Sequence, residues 1–198
     1  MHTQLIRITP VWFVYLILAI PGVLYTYWLL TNNLGADPIR IYERQIGLWA
    51  MQLIILGLLV TPVRNLLGVN LIKFRRAIGL MAFYYVLAHL TSYLVLDQTL
   101  DFNAIWTDIV KRPYITFGMI AVLVLLPLAF TSNNWSIRKL GPQRWRRIHQ
   151  GVYLVALLTI LHYVLLAKRV GTEEIIYTII LLVLLGYRVV LGVKKRIA

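Results

Sequence analysis

Six long stretches of apolar residues, nearly free of charged side chains, follow one another along the chain. Each holds about 20 residues, which as an α-helix rising ~1.5 Å per residue crosses the ~30 Å hydrocarbon core of a bilayer. Lipid offers the backbone no hydrogen-bonding partners, so each stretch should be helical. The pattern predicts an all-α protein, a six-helix transmembrane bundle forming a single domain over residues 1–198, with spans at 11–30, 45–63, 77–96, 113–131, 148–167 and 175–193.

The composition supports this prediction and excludes other classes of protein. Hydrophobic residues make up 60% of the 198 residues and charged residues 14%, whereas soluble domains carry about 25% charged residues. Neither a soluble globular enzyme nor a disordered chain is therefore expected. The chain has no cysteine, which excludes disulfides, iron–sulfur clusters, thiolate zinc sites and covalently attached c-type haem. The first apolar run is too long for a signal peptide and lacks a small-residue cleavage site, so we expect it to be a span.

The net charge of +13 comes from 20 Lys and Arg against 7 Asp and Glu. In a soluble protein such an excess would suggest nucleic acid, but Lys and Arg also accumulate on the cytoplasmic side of membrane proteins. Alternating loops place 14 of these residues with the two termini and 6 on the opposite side. The asymmetry predicts that the N- and C-termini are both cytoplasmic, and it explains the basic charge without a nucleic-acid partner.

Two histidines lie deep in parallel helices. His89 follows Arg76 by 13 residues and His162 follows Arg147 by 15, so both imidazoles are expected ~20 Å from the cytoplasmic end of their helices. A histidine at that depth is costly unless it is paired or ligated, and two at matched depth suit bis-imidazole ligation of b-type haem. The alternative is a transporter or scaffold in which these histidines bond neighbouring hydroxyls. Neither span carries an acidic residue near its histidine, which weakens a proton relay.

The other histidines differ from this pair. His2 is terminal and expected to be inert. His149 is predicted in the first turn of helix five, about 140° around the helix from His162. Three interpretations of His149 stay open: a ligand of a second haem with an unusual or solvent sixth ligand, a contact to a quinone or flavin, or an interfacial anchor.

Three arginines begin the helices that carry the histidines. The guanidinium groups of Arg75, Arg76 and Arg147 would suit haem propionates, flavin phosphate or lipid phosphate. The plainest explanation of all three is the positive-inside charge itself. An outer loop with Asp101 and Asp108 is either a docking face for a partner or a solvated loop, and the solvated loop is the simpler interpretation.

The chain resembles the MsrQ (YedZ) family in three segments. They are RRAIGL at 75–80 followed by His89, KRPYIT at 111–116, and LAFTS at 128–132 followed by Leu140, Gly141, Trp145 and His149. The resemblance covers essentially the whole chain and implies b-type haem, association with FMN and a ferric-reductase-like transmembrane fold. It further implies that His89 and His162 are axial ligands, that His149 belongs to a second site, and that Arg75 and Arg76 contact cofactor. FMN rests on the resemblance alone, because no glycine-rich phosphate loop is present.

The resulting hypothesis is an electron-transfer subunit of the bacterial inner membrane, with one or two haems b and no catalysis on methionine sulfoxide by itself. By resemblance, it passes electrons to a periplasmic molybdopterin methionine-sulfoxide reductase (an MsrP-like subunit) that repairs oxidised periplasmic proteins. The chain ends soon after helix six, so no soluble flavin or nicotinamide domain is expected, and the donor is membrane quinone or a cytoplasmic flavin reductase. The alternatives are a stand-alone haem ferric or quinone-linked reductase and a non-haem transporter or scaffold.

Overall fold

The computed structural model describes residues 6, 8–167 and 169–197, with side chains as far as residue 192. The described part is helical, without β-strands. Its helices are α1 (Val11–Leu30), α2 (Pro38–Leu67), α3 (Arg75–Ser92), α4 (Phe102–Lys111), α5 (Pro113–Phe130), α6 (Asn134–Leu140), α7 (Pro142–His149), α8 (Gly151–Leu166) and α9 (Thr172–Ile197). Some residues used in the predictions lie outside the described part of the chain. They are His2 and five of the basic residues counted for orientation, namely Arg7, Lys168 and the side chains of Lys194, Lys195 and Arg196.

Six segments are long and apolar enough to cross a membrane, which confirms the predicted fold class and shows a multi-pass membrane protein. They are Val11–Leu30, Pro38–Leu67, Ile72–Asp97, Pro113–Phe130, Pro142–Leu166 and Thr172–Gly192. The second begins seven residues before the predicted start at 45. There the Asp37 carboxylate accepts the Arg40 backbone N–H at 3.3 Å and Pro38 occupies the first helical position, so the helix starts in charged sequence.

The chain divides into two compact units, residues 1–108 and 109–198. In the first unit α1, α2 and α3 all pack against one another, and α2 is called the central helix because it has the most buried residues of the three. Ten of its residues are buried, whereas α1 has none. A 3₁₀ turn (Ile72–Phe74) leads into α3, and one buried cluster joins Val60, Phe74 and Ile78. The interior of this unit is therefore built on α2.

Tyr85 ties α3 to α1 through its hydroxyl. The hydroxyl donates to the Leu18 carbonyl at 2.8 Å and accepts the Gly22 backbone N–H at 2.7 Å. An unbroken helix would join those two backbone groups directly, so Tyr85 inserts into the hydrogen-bond ladder of α1 beside Pro21. This insertion uses the hydroxyl that the sequence places one turn before His89.

In the second unit α8 packs against α5 and α9. Gly151 permits close approach at the start of α8, because a Cβ there would lie 3.2 Å from Leu128 Cδ1 and 3.3 Å from Val124 Cγ1. Three shorter helices lie in segments predicted as loops. Side-chain caps explain two of them: Asp101 accepts the Asn103 and Ala104 N–H groups at α4, and Asn133 accepts the Ser136 N–H at α6.

Candidate functional site

His89 lies in the last turn of α3, where it faces α2. Its Nδ1 is 3.0 Å from the backbone carbonyl oxygen of Glu43 in α2. A carbonyl oxygen can only accept, so Nδ1 carries the proton and donates, and in the neutral ring Nε2 carries the lone pair. Five residues of π-helix, Tyr93–Asp97, follow α3 directly, and such π segments are frequent at functional sites.

His162 has the same arrangement in the second unit. It lies in α8, and its Nδ1 is 2.7 Å from the backbone carbonyl oxygen of Tyr114 in α5. The same reasoning makes Nδ1 the donor and Nε2 the nitrogen with the lone pair. Both imidazoles are half-buried. Each unit therefore holds one histidine with its orientation and tautomer set by the backbone of the neighbouring helix.

This arrangement suits iron ligation by imidazole. Metal-bound histidines in proteins almost always donate their second ring N–H to a carboxylate, a backbone carbonyl or water, which orients the ring and raises the basicity of the ligating nitrogen. In each unit, therefore, the histidine has the donor arrangement that suits a ligand of a b-type haem, with Nε2 as the atom that could ligate.

The hydroxyl groups next to the histidines bond elsewhere. Ser92 Oγ donates to the His89 carbonyl at 2.8 Å rather than to its ring, and Thr159 Oγ1 donates to the Val155 carbonyl at 2.8 Å. Tyr85 bonds α1, as described above. At Nδ1, therefore, each imidazole bonds a backbone carbonyl oxygen. The structure does not show the alternative, in which a neighbouring hydroxyl group bonds this nitrogen.

His149 is the last residue of α7, and α8 begins after Gln150, at Gly151. Its Nε2 is 3.0 Å from Thr131 Oγ1, and its ring stacks on Trp145 with centroids 3.9 Å apart and an interplanar angle of 27°. Trp145 Nε1 in turn donates to the Thr131 carbonyl at 2.8 Å. Thr131, Trp145 and His149 together join the C-terminal end of α5 to α7. These contacts support the interpretation of His149 as an anchor.

The three candidate arginines lie on exposed surface. Arg75 and Arg76 are the first two residues of α3, and Arg147 lies in α7. Arg76 is 13 residues before His89, about 20 Å away along the helix, so the structure does not bring the histidine and these arginines together in the first unit. The position of Arg75 and Arg76 at a helix start suits an anionic group outside the protein surface, whereas Arg147 lies in the last turn of α7.

The two acidic residues considered as a docking face, Asp101 and Asp108, have structural partners. Asp101 caps α4, and Asp108 Oδ2 accepts the Tyr93 hydroxyl at 3.5 Å. Capping and pairing give these carboxylates a role in the first unit that requires no partner protein. The segment itself is the helix α4 rather than a loop, and its role as a docking face stays a prediction.

Sequence reasoning missed the backbone groups that hold the imidazoles. Glu43 and Tyr114 contribute through their carbonyl oxygens, which no side-chain pattern reveals. The one available signal is a glycine four residues after each of them, Gly47 and Gly118, in the interior of a span. A helix-interior glycine is unfavourable by about 0.5–1 kcal/mol relative to alanine, but the signal is weak, because a Cβ at Gly79 or Gly186, which also lie inside spans, would meet nothing within 4 Å.

Known proteins resemble the chain along most of its length. The family described as "Ferric reductase like transmembrane component" matches residues 46–160. A relative from Agrobacterium fabrum, the "Protein-methionine-sulfoxide reductase heme-binding subunit MsrQ", is 51% identical over 180 residues, which are 91% of this chain and 83% of the relative. The protein of the same description from Brucella ovis is 49% identical over 177 residues, 89% of this chain and 80% of the relative.

Proposed function

This chain belongs to the MsrQ family of haem-binding subunits, and on that premise we propose that it is the membrane electron-transfer subunit of a protein-methionine-sulfoxide reductase. The observation that carries the proposal is the pair of imidazoles, His89 and His162, each held by a backbone carbonyl through Nδ1. This is the arrangement that a haem ligand requires. The relatives described above are haem-binding subunits, which supports haem as the cofactor.

His89 and His162 are the proposed axial ligands of b-type haem. The haem supplies reversible one-electron chemistry, and the protein sets its ligands, surroundings and potential. The carbonyl oxygens of Glu43 and Tyr114 keep the protons on Nδ1, so the imidazoles present Nε2 as the ligating atom without rearrangement. The surrounding spans are apolar, which keeps water from the iron.

The proposed direction of electron transfer follows from the predicted topology. With both termini cytoplasmic, His89 and His162 lie toward the periplasmic part of the inner membrane, near an acceptor on that side. The acceptor is the periplasmic molybdopterin reductase subunit, and the donor is membrane quinone or a cytoplasmic flavin reductase. Methionine-sulfoxide reduction itself takes place on the partner, so this chain is a redox subunit.

The proposed secondary contacts involve the three arginines. Arg75, Arg76 and Arg147 present exposed cationic groups, which suits the phosphate of FMN, lipid headgroups or the propionates of a second haem. Arg76 is ~20 Å from His89 along α3, too far to contact the propionates of the haem that His89 would hold. FMN is proposed by family membership alone. No step of the proposed electron transfer passes through it.

An optical spectrum of the purified chain tests the haem proposal. Protein produced with adequate haem supply and reduced with dithionite should show the α-band of a low-spin b-type haem. Haem and flavin quantification on the same sample gives the stoichiometry of each cofactor. A sample that folds as a monodisperse helical protein yet shows no α-band would contradict the proposal and favour a transporter or scaffold.

The second candidate is a stand-alone haem ferric or quinone-linked reductase. It is favoured by the match of residues 46–160 to a family described as ferric-reductase-like. Both candidates predict the same haem spectrum, so they differ only in what reoxidises the haem. A periplasmic reductase with methionine sulfoxide and a ferric chelate are the two acceptors to compare.

Replacing His149 by Ala tests the second-site role. The Thr131 hydrogen bond and the Trp145 stack already explain the position of this ring, so we expect the variant to keep the haem ligated by His89 and His162. Pyridine haemochrome quantification, with the reduced spectrum, measures the haem per protein in the variant and the wild type. Loss of a second haem signal in the variant would instead assign His149 as a ligand of that haem.

A further inference from the structure

Gly47 and Gly118 differ from the other glycines of the described residues in what a side chain there would meet. A Cβ at Gly47 would lie 3.2 Å from His89 Nδ1 and 3.3 Å from His89 Cε1. A Cβ at Gly118 would lie 2.9 Å from His162 Nδ1 and 3.1 Å from His162 Cε1. At no other glycine of the described chain would an added Cβ meet an imidazole ring within 4 Å. Both contacts involve the nitrogen that bonds the carbonyl group.

The spacing explains why glycine is needed at these two positions. In an α-helix the carbonyl of residue i points toward residue i+4, whose Cα–Cβ bond tilts back toward the N-terminus. The Cβ of residue i+4 therefore stands beside that carbonyl oxygen and blocks access from outside the helix. Gly47 follows Glu43 by four residues and Gly118 follows Tyr114 by four. Without a Cβ, the second lone pair of each carbonyl oxygen is accessible to an imidazole N–H.

The same arrangement of carbonyl, glycine and histidine occurs once in each of the two units. In the first unit it joins α2 to α3, and in the second it joins α5 to α8. General helix packing does not explain this coincidence. Gly151, for example, permits close approach of α5 and α8 through contacts with Leu128 and Val124 only. The repeated element is a carbonyl, a glycine one turn later and a histidine on the neighbouring helix.

We propose that Gly47 and Gly118 are positioning residues for the haem, each opening the carbonyl one turn before it to the N–H of a ligating histidine. The inference rests on the proposed function, because it takes His89 and His162 as the ligands. An alanine at either position pushes the imidazole away from its carbonyl and removes the hydrogen bond that fixes its orientation and basicity. Loss of such a bond typically weakens metal binding by about 10- to 100-fold. The effect is larger at Gly118, where the contact is shorter.

The test compares Gly47→Ala and Gly118→Ala with two matched controls in the full chain. Gly79→Ala lies on the helix of His89 and Gly186→Ala on α9 of the second unit; at both positions a Cβ meets nothing within 4 Å. Each variant is purified in detergent and checked for folding by size-exclusion chromatography. Haem content, the ferric low-spin EPR spectrum and the midpoint potential are then measured. The EPR spectrum responds to imidazole orientation and the potential to imidazole basicity, and the two control variants measure the effect of adding a methyl group to a span without touching an imidazole.

We expect Gly118→Ala to lose most of its haem and Gly47→Ala to lose less, with altered EPR g-values and a shifted potential in the haem that remains. The two controls should match the wild type. If Gly118→Ala does not fold, Gly47→Ala decides the question. Folded Gly47→Ala and Gly118→Ala with wild-type haem content, EPR spectrum and potential would overturn this inference while leaving the proposed function intact. Wild-type protein without haem would instead overturn the proposed function.

Discussion

Replacing either His89 or His162 by Ala should remove the haem that gives the chain its spectrum. Each imidazole is held through Nδ1 by a carbonyl at 3.0 Å or 2.7 Å, and alanine offers no replacement ligand. Because loss of a supporting group alone weakens metal binding by about 10- to 100-fold, loss of the ligand should reduce haem content to below about a tenth of the wild type. Haem per protein and the reduced spectrum of each purified variant provide the measurement.

His2→Ala is the control for this pair, since that histidine is expected to be inert from its terminal position. It should retain the wild-type haem content. Supplying imidazole in the buffer gives a further check, because a small ligand can enter a space left by a removed side chain. A His89 or His162 variant that folds and keeps both the wild-type stoichiometry and the wild-type EPR spectrum would refute its assignment as a ligand.

Leu58→Ala should strongly destabilise the first unit. Leu58 lies in α2, the central helix of that unit, and is 1% exposed. Truncating a buried leucine to alanine removes packing contacts and leaves a cavity that the surroundings fill only in part, which costs about 2–5 kcal/mol. Thermal or denaturant unfolding of the purified protein in detergent, followed by circular dichroism, measures the loss.

Leu66→Ala provides a matched control on the same helix. Leu66 is 72% exposed, so its truncation leaves no cavity and should change the free energy of unfolding by less than about 0.5 kcal/mol. Equal destabilisation by the two substitutions would show that α2 is not the packed centre of its unit.

The spans were predictable from sequence because the bilayer imposes a simple rule. About 20 residues without charge are required, and charged residues interrupt the pattern clearly at 64, 73 and 138. The rule fails where a helix extends beyond the membrane. Asp37 and Pro38 start α2 within charged sequence, and Asp101 and Asn133 start short helices in segments predicted as loops. Capping hydrogen bonds, rather than hydropathy, determine these boundaries.

The candidate ligands were predictable for a related reason, since a histidine deep in a span needs a partner. His89 and His162 were therefore identified by depth alone. The hydrogen-bond partners of these two histidines were not predictable. A carbonyl acceptor on another helix depends on which helices pack together and on how each is rotated about its axis. The sequence carries only an indirect signal of it, a glycine inside an apolar span.

The role of His149 is the part of the candidate site that the sequence left undecided. Its position beside a cluster of arginines left a second haem, a quinone or flavin contact and an anchor as interpretations. The contacts with Thr131 and Trp145 support the anchor, and the role at a second haem stays a prediction. Trp145 lies four residues before His149 on the same helix, so their contact follows from helical spacing. Thr131, 18 residues earlier in the chain, becomes a neighbour only when the end of α5 packs against α7. Depth and charge in the sequence could not distinguish an anchor from a ligand.

The most direct test of the account is the anaerobic reoxidation of the reduced haem. The purified chain is reduced with a limiting amount of dithionite and mixed with a periplasmic molybdopterin methionine-sulfoxide reductase. Methionine sulfoxide or a ferric chelate is then added while the α-band is followed. We expect the band to disappear with methionine sulfoxide only when the reductase is present. Haem that stays reduced under those conditions, and is oxidised only by the ferric chelate, would contradict the proposed function.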